Sequence, residues 1–392
     1  MSAAAPAVND GALLVVPLRG VGDVRTGDDL AALLVAACAR AGVPPRDDDV
    51  LVVSSKVLAK ALGLWHDDRE AAVLAESRGV VAERRTPGGT TRIVRSAAGP
   101  VMAAAGVDAS NTGPEADGRV LVLPRDPDAQ AARLRARVAD VSGARPAVLL
   151  TDTSGRPWRV GQTDFALGCA GLLPTDDLRG GLDADGVELH VTVRAVADEL
   201  ASAAELVKGK ADGVPAALVR GAGHLVRAED GPGAAGLVRF DEADWFATGT
   251  VESVRSALGC PPGTPGVEPA LAVVDRARPD VPGVLARAVA VVAAGLAAAP
   301  LAAGPPVLRD GGVEVPTDPS VPSDPAARSA RSAPDPAHAA LAAAQVAERV
   351  AVACRAEGLG TRVLLVPGAV RVEPVTVGPA RVDATDVDAR HS

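Results

Sequence analysis

The stretch PAVLLTDTSGRPWRVGQTDFALGCAG, residues 146–171, passes from an unbroken apolar run into a dense polar one, and that passage decides how the chain is read. Ala147 to Leu150 is a short apolar run of strand length. Beyond it Asp152, Thr153, Ser154, Arg156, Trp158, Arg159, Gln162 and Asp164 crowd together in a chain that is 48% hydrophobic. Polar residues gathered where an apolar strand ends mark the usual place for a ligand site in a protein of alternating strands and helices.

The same grammar extends outward over residues 12 to 240. GALLVVPL is a short apolar run of strand length, and TGDDLAALLVAACARAG opens at an acidic cap and spaces Leu30, Leu33, Leu34, Ala37 and Cys38 along one helical face. DDDVLVVSSKVLAKALG runs from turn to strand to a polar exit, and GRVLVLPRDPDAQAARLRARVADVSG repeats the pattern. TVRAVADELASAAELVKGK predicts a long helix and VPAALVRG a returning strand. One mixed α/β unit with a smaller subdomain inserted is expected over these residues, followed by a C-terminal α/β extension. The boundaries expected are 12–245 for the main domain, 246–303 for a junction and helical segment, 304–337 for a Pro-rich linker or mobile loop, and 338–392 for the C-terminal segment. In that last segment AALAAAQVAERVAVACRAEGLGTRVLLVPG predicts a helix, a glycine stop and a strand.

Composition narrows the function. A formal net charge of −9 and a pI near 5.2 argue against a general nucleic-acid binder. Cys38, Cys169, Cys260 and Cys354 lie far apart with no CxxC pair, so neither structural zinc nor a disulfide framework is expected. MSAAAPAVND lacks a basic segment followed by an apolar core, and no run approaches the roughly 18 apolar residues of a membrane span. A soluble cytoplasmic protein with no nucleic-acid or membrane partner is expected.

Four polar clusters compete for the chemistry. AAAGVDASNTG offers Asp108 and Asn111 beside small residues that let a ligand approach the backbone, and the same letters spell an Asx turn. LLTDTSGRPWRVGQTD places Asp152 and Thr153 directly after a strand, with Arg156 and Arg159 three residues apart. Hard oxygens followed by guanidinium groups suit a magnesium-bound phosphate, and a surface turn with an Asp–Arg pair is the alternative. VVSSKVLAK puts Ser55 past a strand and Lys56 and Lys60 on one helix face, where both could meet one anion or line a solvated edge. GGLDADGVELH holds Asp183 and Asp185 in what reads as a simple turn, since the other ligands of a calcium loop are missing. GxxxxGK[ST], GxGxxG after a strand, GxSxG and HExxH are all absent, and His66, His190, His224, His338 and His391 are scattered.

Taken in order, VVPLRGVGDVRTGDDL, DVLVVSSKVLAK, AAAGVDASN, LPRDPDAQA, TDTSGRPWRVGQTDFALGCAG and VADELASAAELVKGKADGVPAALVRG resemble the coenzyme F420-0:L-glutamate ligase family over about residues 12 to 225. The resemblance implies a GTP-dependent ligase of a two-domain α+β fold that assembles as an intertwined homodimer. Its substrates would be coenzyme F420-0 and L-glutamate, the first glutamate joined by its amine to the F420-0 carboxylate through an acyl phosphate and later ones through γ-linkages. Carried over by motif, Asp108, Asp152 and Thr153 would hold Mg2+ or Mn2+, with K+ as a further cofactor. Asn111, Val21, Gly22, Asp23, Val24, Ser55, Lys60, Lys208, Gly209 and Lys210 would line the GTP site, the last group within a segment that runs to Pro215. Many members carry glutamine where this chain has Lys210, and a protonated lysine cannot ligate a metal. Asp152, Arg156 and Arg159 are the expected catalytic group, the arginines orienting the acidic substrate or the migrating phosphoryl group. DWFATGTVESVRSAL resembles the junction to a flavin-binding, nitroreductase-like domain in some fused relatives. Two alternatives therefore stand beside the ligase: a bifunctional ligase and FMN-dependent reductase, and a non-catalytic nucleotide-binding relative.

Overall fold

The computed structural model describes residues 11–86, 89–157, 159–209, 212–239, 244, 247–271, 280–298, 301, 303, 305–317 and 336–375. The chain is α+β and divides into two units, one of Met1–Gly79 with Ile93–Trp245, the other of Val80–Arg92 with Phe246–Ser392.

The first unit is built on five strands: β1 (Leu14–Pro17), β2 (Val50–Ser54), β3 (Ala147–Arg156), β4 (Arg159–Ala170) and β5 (Ala216–Arg220). Their order is β1-β5-β2-β3-β4, antiparallel except for the parallel pair β2–β3. Burial on both faces explains the unbroken apolar runs, because successive residues point to opposite sides. Leu51, Val53, Val148, Leu150 and Leu218 face one core, shared with α1 (Leu30–Arg40) and α3 (Pro127–Ser142). Val50, Val52, Leu149, Ala217 and Val219 face the other, against α4 (Val196–Lys208).

Caps and clamps follow from single residues. Asp29 caps α1 by accepting the Ala32 amide at 3.2 Å, and Asp126 caps α3 by accepting the Ala129 amide at 3.0 Å, with Pro127 as first helical residue. Arg135, only 1% exposed, donates from α3 to the carbonyls of Pro146 and Arg227 and to Asp230 at 2.8 Å. Gly171 (φ +71) leaves the room this requires, since a Cβ there would sit 2.3 Å from the Arg135 guanidinium carbon.

In the second unit the helices Val281–Ala298 and Pro336–Ala356 share one core with an antiparallel sheet formed by Val307–Arg309, Gly312–Pro316, Ala369–Pro374 and Thr361–Val366, in that order. The helix, glycine stop and strand expected after residue 338 are present, the helix beginning at Pro336. Within the stretch read as a Pro-rich linker or mobile loop, residues 307–309 and 312–316 form strands, because alternating Val313 and Val315 bury against the Pro336–Ala356 helix; residues 318–335 lie outside the described residues. No helix among the described residues is long and apolar enough to cross a membrane.

Leu149 is fully buried at the centre of the first unit. Leu149→Ala should therefore cost about 2–5 kcal/mol of stability in a urea unfolding experiment. A loss below about 1 kcal/mol would mean that this face of the sheet is not packed as described.

Candidate functional site

The parallel pairing of β2 with β3 runs from Val50↔Ala147 to Ser54↔Thr151, so the two strands reach their polar ends side by side. Beyond that point their paths differ. β2 passes straight into α2 (Ser55–Ala61), whereas β3 continues to Arg156 as one arm of a hairpin with β4. Asp152 and Thr153, expected directly after the strand, are part of it, because β4 supplies the partners Asp152↔Phe165 and Thr153↔Asp164 that keep the polar stretch extended.

A cleft of about 580 Å³ opens where these ends meet. Gly22, Asp23, Val24, Lys60, Asp108, Asn111, Asp152, Thr153, Lys208 and Gly209 all line it, together with Lys56, Asp164, Glu205 and the segment Gly213–Pro215. Val21 and Ser55 are buried next to lining residues in the chain, and Lys210 lies outside the described residues. Arg156 and Arg159 do not line the cleft; they stand exposed near the tip of the β3–β4 hairpin. Asp183 and Asp185 form the turn expected of them, Asp183 accepting the amides of Asp185 and Val187.

Acids and lysines meet in pairs inside the cleft. Lys56 lies 2.6 Å from Asp108, Lys60 2.9 Å from Asp23 and Lys208 2.6 Å from Asp164. Asp108 closes the Asx turn that its motif spells, one oxygen accepting the Ser110 amide at 2.7 Å while the other faces Lys56. Burial pushes the Asp108 carboxyl up, but the Lys56 side chain and the Ser110 amide and hydroxyl outweigh it and hold the group below the usual carboxylate range. Asp164 behaves alike: burial raises it, and the Lys208 charge with bonds from Lys208, Thr153 and Thr151 brings it down. Glu205 goes the other way, raised first by burial and then by the Asp164 charge, since Lys208 stands closer to Asp164 than to Glu205, which is 3.4 Å away.

Two lining acids have no role in the sequence reading. Asp164 stands at the end of the polar cluster, and only the hairpin register, which sets it opposite Thr153, reveals its place. Glu205 is three residues before Lys208 on α4 and so shares its face.

The donor set suits a hard divalent cation. Asp108, Asp152 and Thr153 offer carboxylate and hydroxyl oxygens to one space, and lysines beside them suit an anion. Among the described residues no group of three or more His, Cys, Asp or Glu side chains could hold a metal. A cation here would complete its shell from water and a bound phosphate, as magnesium commonly does.

Residues 20–71 and 65–221 match the profile of the F420-0:gamma-glutamyl ligase family. The coenzyme F420:L-glutamate ligase of Haloarcula marismortui is 41% identical over 234 residues, 53% of this chain and 86% of that protein. The proteins of the same name from Methanopyrus kandleri and Methanothermobacter thermautotrophicus are 38% and 37% identical, over 57% and 59% of this chain and 93% and 98% of their own length.

One glycine tests the cleft's geometry. Gly113 (φ +77) lies against the Asp23–Lys60 pair, where a Cβ would come 2.8 Å from Asp23 Oδ1 and 3.1 Å from Lys60 Nζ. Gly113→Ala is expected to destabilise the chain by about 1–3 kcal/mol in chemical unfolding. An unchanged midpoint would contradict this placement of the loop.

Proposed function

The chain belongs to the F420-0:gamma-glutamyl ligase family, and from that membership and the chemistry of the cleft we propose that it joins L-glutamate to coenzyme F420-0 at the expense of GTP. Forming an amide from a carboxylate requires an activated acyl group. In the proposed route a carboxylate oxygen of F420-0 takes the γ-phosphoryl group of GTP and GDP leaves. The unprotonated amine of glutamate then attacks the acyl carbon, the C–N bond forms, phosphate departs with the electron pair of the broken C–O bond, and the nitrogen gives up one proton to that phosphate or to solvent. Later rounds would extend the product through γ-linkages.

The observation that supports this reading best is the convergence of Asp108 with Asp152 and Thr153, from segments remote in sequence, on a cleft that also holds Lys56, Lys60 and Lys208. The three oxygen donors would hold Mg2+ or Mn2+, which when bound would offset charge on phosphate oxygens. Asn111, the loop Gly20–Val24 and the segment Lys208–Gly209 would bound the nucleotide. Lys56 and Lys60, each paired with an acid of the cleft, would turn toward phosphate oxygens once those acids have another cation to face.

A homodimer is part of the proposal. Between β4 and α4 a small antiparallel ladder, Asp176–Asp177 with Val193–Arg194, carries an arm whose Leu182, Val187 and Val191 are 68%, 62% and 86% exposed. Apolar side chains so placed suit burial against a second copy.

Purified protein given GTP, magnesium or manganese, glutamate and F420-0 should yield product heavier by one or more glutamyl residues; no mass gain would sink the proposal. Asp152→Ala should lower turnover about 100-fold or more, a loss of some 3 kcal/mol in transition-state stabilisation. Unimpaired turnover would remove Asp152 from the cation site. Light scattering should find a dimer that Val191→Asp weakens, and a monomeric parent chain would dismiss the dimer.

A further inference from the structure

Asp164 is 3% exposed and its carboxylate accepts from three side-chain donors, with Glu205 close beside it. One oxygen accepts the Thr153 hydroxyl at 2.7 Å. The other accepts the Thr151 hydroxyl at 2.9 Å and the Lys208 ammonium at 2.6 Å. The geometry of these bonds determines more than local stability, because a threonine hydroxyl has one proton and two lone pairs. With its proton committed to Asp164, Thr153 can present only lone pairs to the cleft, which is the orientation a cation needs.

We propose that Asp164 is a positioning residue for the divalent cation: it holds the Thr153 hydroxyl proton away from the cleft, so that the Thr153 oxygen ligates the cation beside Asp152. This rests on the ligase reading and its cation site. Carboxylates one step behind a metal's ligands commonly fix ligand orientation, and their loss lowers metal affinity about 10- to 100-fold.

Lys208 makes the arrangement sensitive to a single atom. In Asp164→Asn the side chain is isosteric, and the ammonium requires the amide oxygen to face Lys208. The amide nitrogen then faces Thr153, donates to its oxygen, occupies a lone pair and leaves the hydroxyl proton free to turn into the cleft. A buried ion pair lost for structural reasons alone would lower stability without this directional effect on one hydroxyl.

The test is Mn2+ binding to the full chain with GTP present, read from the paramagnetic resonance of free Mn2+, for wild type, Asp164→Asn, Thr153→Val and the double variant, with a thermal melt of each. Expected is about a tenfold or greater rise in the Mn2+ dissociation constant for each single variant and no further rise in the double variant, since both remove the same oriented oxygen. Wild-type affinity in Asp164→Asn, or losses that multiply in the double variant, overturns the proposal while leaving the ligase reading standing. Failure of the wild-type chain to bind Mn2+ with GTP overturns both. If Asp164→Asn does not fold, Thr153→Ser, which retains a hydroxyl for Asp164, must bind Mn2+ as wild type does while Thr153→Val does not; equal binding by the two overturns the proposal.

Discussion

The parallel ladder between Val50–Ser54 and Ala147–Thr151 is the contact on which the first unit depends. Both strands are buried on both faces, so a slip of one residue would exchange Leu149 and Leu150 between two cores of different shape. That register brings Ser54 level with Thr151 and thereby sets the start of α2, with Lys56 and Lys60, beside Asp152 and Thr153. The polar cleft is thus the boundary of the hydrophobic packing. Its chemistry is located by where apolar side chains run out.

Inside the cleft the governing constraint is neutrality. Asp164 and Lys208 are each almost wholly buried, and a carboxylate or ammonium taken from water without a partner would cost several kcal/mol. Their pairing satisfies that constraint, and Glu205 bears the consequence: with Lys208 turned to Asp164, it is left near a negative neighbour. Asp108 and Asp23 are more exposed and pair with lysines from α2. In these outer pairs the carboxylates, about a third exposed, can exchange partners at lower cost than Asp164 can, since water reaches them.

Much of this was legible in the sequence. Apolar runs of strand length, acidic caps and glycine stops located β1, β2, β5, α1, α3 and α4, because apolar strands and amphipathic helices leave strong one-dimensional signals. Asp108, Asn111, Asp152 and Thr153 were readable as a group only because several motifs stand in order, and the cleft lining contains all four. Less legible was the continuation of β3 past Leu150. A polar strand paired in a hairpin lacks the apolar run that announces one, so the sequence places Asp164 in the polar stretch but assigns it no role, its pairing opposite Thr153 being set by the register. Arg156 and Arg159 looked like neighbours of Asp152 in sequence, but an extended strand rises about 3.3 Å per residue and takes them out to the hairpin tip.

The second unit takes part of its fabric from the middle of the first half of the chain. Gly249 donates to the Val81 carbonyl, Ala270 and Leu271 pair in parallel with Arg84 and Arg85, and buried Glu252 accepts the Glu83 amide at 2.9 Å and bonds Arg84. Glu83 in turn accepts from Arg92 and from the Gly263 amide. Residues 80–92 therefore belong by contact to a body that the backbone reaches again only after residue 245. Cutting the chain after residue 245 would strip Arg84 and Arg85 of their parallel strand partner and Glu83 of the Gly263 amide, leaving the 80–92 segment without the contacts that hold it.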